Sequence, residues 1–60
     1  MNMYTTLIAK KLKCDLDYAL LIQNVIDCYF EIRWSEASTR TINANIKDAE
    51  LFYNEYLAIK

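Results

Sequence analysis

The side chains here that could do chemistry are carboxylates, two thiols and five phenols; the sequence contains no histidine. Asp27 and Glu31 stand at i,i+4, the spacing that puts two carboxylates on one helix face and a starting point for general acid–base work. With Asp17 and Asn24 they form one polar stripe. A helix face is convex, however, and no nucleophile, histidine or glycine loop accompanies the pair. The stripe therefore reads as a solvated face or a surface for a basic partner. Cys14 and Cys28 are neither a CxxC pair nor part of a zinc-spaced cluster. One disulfide between them is conceivable. Two reduced thiols in a cytoplasmic chain are the expectation, since no secretory leader is recognisable. Of the tyrosines, Tyr18, Tyr29, Tyr53 and Tyr56 fall on apolar helix faces, where core packing is the commoner role. The chain is expected to be non-enzymatic, without metal or cofactor.

The element that must position these groups is the stretch from Leu16 to Trp34, which no Gly or Pro interrupts. On a helix of about 100° per residue its polar side chains share one wedge, with Leu20 the one apolar intruder. The apolar residues run from Cys28, Leu21, Ile32 and Val25 through Tyr18, Tyr29 and Ile22 to Ile26, Ala19 and Phe30. Their arc is close to 200°, about twice the stripe that one core contact needs. Such a helix has to be covered on two sides. Before it, residues 4–13 predict a short amphipathic helix with Thr5 or Thr6 as cap, Leu7, Ile8 and Leu12 on its apolar side and three lysines near its end. Cys14-Asp15 is the turn, and Asp15 the N-cap of the central helix. Residues 35–41, rich in hydroxyls, make a polar joint. The last helix is expected over about 42–59, capped by Thr41 or Asn45, with Ile42, Ile46, Ala49, Phe52, Tyr53, Tyr56, Leu57 and Ile59 on one side. Leu51 falls on its polar face.

Composition narrows the function classes. Sixty residues make one domain at most, and a core that small rarely supplies more than about 3–5 kcal/mol. The apolar fraction of 55% is more than so short a chain readily hides, which points to a protein interface. Seven basic against eight acidic residues give no bulk attraction for nucleic acid or an anionic membrane. Gln23, Asn24, Asp27 and Glu31 interrupt the best candidate for a membrane span.

Two short resemblances carry the alternative. Ile8-Ala9-Lys10-Lys11-Leu12-Lys13-Cys14-Asp15, with Ala19 and Ile22 following, resembles the opening of bacterial helix-turn-helix units, which implies DNA binding. It departs from that pattern at Lys13, where Gly is usual. It also puts Leu16, Asp17, Leu20 and Leu21 where base-reading side chains would stand. Thr41-Ile42-Asn43-Ala44, Lys47-Asp48, Phe52 and Tyr56-Leu57 resemble a helix of the core-binding domain of tyrosine recombinases, with Asn45 in place of the usual aromatic residue. That resemblance implies nucleic-acid contacts at Arg33, Arg40 and Lys47.

A three-helix, all-α bundle over residues 1–60 is expected, its long central helix over about 16–34. The 3-4 spacing of Tyr18, Leu21, Val25, Cys28 and Ile32 is a seam for the last helix. That pairing leaves Ala19, Ile26, Phe30 and Trp34 for the short first helix or a two-fold partner, so a homodimer is expected. The function read from the sequence is binding of a protein partner, or of a second copy, in a bacterial or phage regulatory setting. Tyr18, Leu21, Val25, Tyr29, Phe30, Trp34 and Tyr53 are the interface candidates. The alternative is a small nucleic-acid-binding regulator using Lys10, Lys11, Lys13, Arg33 and Arg40. No membrane partner is expected.

Overall fold

The computed structural model describes residues 3–58. They form three helices, α1 (Met3–Leu12), α2 (Leu16–Tyr29) and α3 (Thr39–Phe52), and a closing π-helical turn (Tyr53–Leu57), with no strand among the described residues. The radius of gyration is 10.7 Å, close to the about 10 Å of a compact chain of this length.

Local chemistry sets each boundary. α1 stops where Lys13 enters the left-handed region at φ 55° and the Cys14 amide returns to the Ala9 carbonyl at 3.1 Å. That is a Schellman ending in which lysine stands in glycine's place. Asp15 caps α2 as expected, its carboxylate accepting from the Tyr18 amide at 2.8 Å. Thr5 and Thr6 are not caps, because both lie inside α1.

α2 ends at Tyr29 and not at Trp34. The Phe30 amide still reaches the Ile26 carbonyl at 2.9 Å, but Glu31 turns left-handed at φ 49° and the chain folds back. A non-glycine residue there costs about 1–2 kcal/mol. Burial offsets it: Phe30, Ile32, Trp34 and Ala37 all pack against the core. The Trp34 ring stacks on Tyr4 of α1 at 4.6 Å, and its indole N–H donates to the Asp27 carboxylate at 2.9 Å. The connector is therefore residues 30–38, earlier than the expected joint. Glu31 is off the helix and no longer an i,i+4 partner of Asp27.

Ser38 caps α3, its hydroxyl accepting from the Thr41 amide at 3.2 Å. Both residues expected as caps lie within the helix, where Asn45 donates to the Thr41 carbonyl at 2.8 Å. The regular helix gives way at Tyr53 to the π turn, closed by the Ala58 amide on the Tyr53 carbonyl at 2.8 Å. The expected helix end at 59, and Ile59 itself, lie outside the described residues.

The core is aliphatic: Ile8, Ala19, Ile22, Val25, Ile26, Ile42, Ile46 and Ala49. Ala19 and Ile26, the shoulder of α2 that was expected to want a second copy, are fully buried within the one chain. Beside them lies a polar contact. The buried Thr5 hydroxyl donates to the side-chain carbonyl of the equally buried Gln23, tying α1 to α2. No buried side-chain nitrogen or oxygen among the described residues lacks a hydrogen-bond partner.

Candidate functional site

The apolar arc of α2 is wider than its two neighbours cover, and the uncovered flank is the opposite one from that expected. Covered positions run from Val25 through Ile22 and Ile26 to Ala19 and Gln23. Leu21 is only half-buried, and Cys28 and Tyr29 are exposed. Leu20, the intruder in the polar wedge, is 49% exposed and Tyr29 58%. Beside this flank lies an open groove of about 380 Å³. Its deeper surface is Val25 with half-buried Leu21, Tyr53 and Leu57; Leu20, Cys28 and Tyr29 stand at its exposed side. Among the described residues Asp17 is the one charged residue that lines it, and Asn24 the one amide.

The π turn builds the far wall. A π segment widens the helix by one residue per turn and is often found at functional sites. Here it supplies Tyr53 and Leu57. Tyr53 is held by an edge contact with Tyr18, ring centroids 6.1 Å apart, and the Tyr18 hydroxyl accepts from the Asn54 amide at 3.3 Å. At the other end Tyr29 and Phe30 both pack on Phe52, at 5.1 and 6.2 Å.

Of the interface candidates, then, Leu21, Val25, Tyr29 and Tyr53 meet at one groove, with Tyr18 behind Tyr53. Phe30 and Trp34 do not join them. Phe30 is half-buried against the core, and Trp34 lies against α1. Leu20, Cys28 and Leu57 line the groove without having been singled out. Leu20 carried a signal, since an apolar residue alone in a polar wedge is what a docking surface needs. Leu57 was expected on the apolar side of the last helix, but its place in the groove depended on the π turn, for which there was no signal.

The basic candidates come from α1 and its turn, the connector and α3. Lys10, Lys11 and Lys13 are exposed around the end of α1, with Lys11 beside Lys47 and Glu50 in a separate groove. Arg33 sits in the connector among Glu31 and Glu36 and pairs with Glu36 at 3.5 Å. Arg40 is exposed in the first turn of α3. Leu16, Asp17 and Leu20 are exposed at the start of α2 and Leu21 half-exposed, so the position of a recognition helix presents leucines and a carboxylate.

Both cysteines are free. Nearly the whole of α2 separates them, about 20 Å at 1.5 Å per residue, far beyond the roughly 7 Å that a disulfide spans between Cα atoms. Burial, reinforced by the charges of Asp15 and Glu50, raises the Cys14 thiol above its ordinary value. Among the described residues no His/Cys/Asp/Glu group could hold a metal, and no helix is long and apolar enough to cross a membrane. Compared with family models, with curated proteins and with solved structures, the chain gives no match.

Proposed function

We propose that this chain is a small, non-enzymatic protein-interaction module whose working surface is the open flank of α2. The observation that carries the reading is the groove itself. A chain with more apolar surface than it can hide leaves Leu20 and Tyr29 about half exposed beside half-buried Leu21, Tyr53 and Leu57. Adjacent exposed apolar side chains of this kind mark interaction surfaces. Their aromatic members are the residue types that anchor partners. Cytoplasmic residence, which reduced Cys14 and Cys28 would need, belongs to this reading.

The homodimer expected from the sequence was to cover the opposite shoulder of α2; self-association through the open flank is a separate possibility. The shoulder that motivated the homodimer is covered within the chain, and a two-fold pairing along the open flank would bring two helices together whose charged residues are all acidic. The reading therefore favours a different chain as occupant. Sedimentation equilibrium over the micromolar range is expected to give the chain mass.

One observation favours the nucleic-acid alternative: the left-handed Lys13 gives the α1–α2 turn the backbone that glycine supplies in helix-turn-helix units. Against it stands the start of α2, which presents leucines and Asp17 where base-reading side chains would lie. Duplex DNA at about 150 mM salt is expected to show no sequence-dependent mobility shift.

The test is affinity capture from the native host with the wild-type chain, Leu20→Glu and Lys10→Glu/Lys11→Glu. A protein kept by the wild type and the lysine variant but lost by Leu20→Glu supports the reading. Retention by Leu20→Glu, or loss only in the lysine variant, overturns it.

A further inference from the structure

We infer that the groove along α2 takes a cationic amphipathic helix; the inference rests on the docking reading above and names its partner's chemistry. The groove follows α2 from Asp17 to Tyr29, about 18 Å at 1.5 Å per residue, which matches three turns of a partner helix. Its lining is apolar apart from Asp17 and Asn24, so the partner's inner face must be apolar too, with anchors at i, i+3, i+4 and i+7.

The charge that α2 itself brings to the groove is negative. α2 carries Asp17 in the groove's lining and Asp27 outside it, where it accepts from Trp34, and no lysine or arginine. No base lies in its last turn, so the negative end of its dipole is uncompensated from within the helix, and Glu31 follows it. A partner with lysines or arginines flanking its apolar stripe would meet Asp17 at one end and the carbonyl end of α2 at the other. An acidic helix would be repelled at both. A second copy presenting the same flank would bring acid to acid. One presenting another face would form a ring or an open chain of contacts and not a two-fold dimer.

The experiment uses the full 15N-labelled chain and two synthetic amphipathic helices. One has leucines at i, i+3, i+4 and i+7 with lysine elsewhere, and the other replaces every lysine by glutamate. The lysine peptide is expected to shift the amides of Leu20, Leu21 and Cys28. It should bind at least about tenfold more tightly than its glutamate counterpart at low salt, a gap that narrows as salt is added. Asp17→Lys, a change at an exposed site, should weaken the lysine peptide about threefold to tenfold. Equal binding of the two peptides in the groove overturns the charge inference and leaves the docking reading standing. Failure of the lysine peptide to reach the groove overturns the inference. If duplex DNA then shifts Lys10, Lys11 and Arg40, the docking reading falls with it. A dimer of the chain alone that Leu20→Glu abolishes would make the second copy the occupant, and the inference would fail.

Discussion

The buried contact between Thr5 and Gln23 predicts a non-additive pair of substitutions. Both side chains are almost fully buried, and each is the other's partner across the α1–α2 interface. Gln23→Leu would leave the Thr5 hydroxyl without its acceptor, and Thr5→Val would leave the Gln23 carbonyl without its donor. An orphaned buried polar group costs about 1–3 kcal/mol, whereas replacing both partners by apolar groups of similar shape is close to neutral. Against the roughly 3–5 kcal/mol available to a domain this size, either single change removes a large share of stability. Each should lower the melting temperature by about 4–8 °C per kcal/mol lost. The double variant Thr5→Val/Gln23→Leu should recover most of that loss, a coupling of about 2 kcal/mol. Circular dichroism melts and urea titrations of the four proteins measure it. Strictly additive losses, or a Gln23→Leu chain as stable as the wild type, would show that the two groups do not depend on one another.

Other outcomes follow from the backbone, the core and the thiols. Glu31→Gly and Lys13→Gly should each raise stability by about 0.5 kcal/mol, because relief of the left-handed cost, about 1–2 kcal/mol, exceeds glycine's greater entropy loss; a destabilised glycine variant in thermal melts would contradict these turns. Val25→Asp would bury an unpaired charge at a cost of several kcal/mol and should unfold the chain, while exposed Asn24→Asp should stay within about 0.5 kcal/mol of wild type; equal melting temperatures would mean that the buried face of α2 lies elsewhere. The folded state holds the Cys14 proton more tightly than the unfolded chain does. Its contribution is therefore complete below the ordinary thiol value of 9.0 and is lost as pH rises through the folded value. Relative to Cys14→Ala, the wild type should lose stability above about pH 9, and parallel stability curves for the two would refute this.

Much of the frame was legible because its signals are local. Asp15 before an apolar run, the break at Cys14, and the i, i+4, i+7 spacing of Ile42, Ile46 and Ala49 each depend on neighbours in the chain, and each recurs in the fold. The end of α2 was not legible. With neither glycine nor proline present, helix periodicity runs on to Trp34. It is tertiary contacts, the packing of Phe30, Ile32, Trp34 and Ala37 on the core and of Trp34 with Tyr4 and Asp27, that favour a left-handed Glu31. Among four hydroxyl residues in the joint, local preference could not choose Ser38 over Thr41. Gln23 looked like an interruption of an apolar helix; its meaning depended on Thr5 lying opposite. The width of the arc was readable and correctly called for two covering elements. Which flank stayed open was set by where α1 and α3 lie around α2, and that placed the groove at Leu21 and Cys28 and not at Ala19 and Ile26.

Cys28 stands in the groove and offers a direct test of the claim that this flank is the docking surface. In a Cys14→Ala chain, the alkylation rate of Cys28 can be followed by mass spectrometry in buffer and in extract of the native host. An occupied groove should slow the reaction several-fold in extract, and Leu20→Glu, about two helical turns from the thiol along the same groove, should restore the buffer rate. Equal rates in buffer and extract for the unmodified groove would contradict the account.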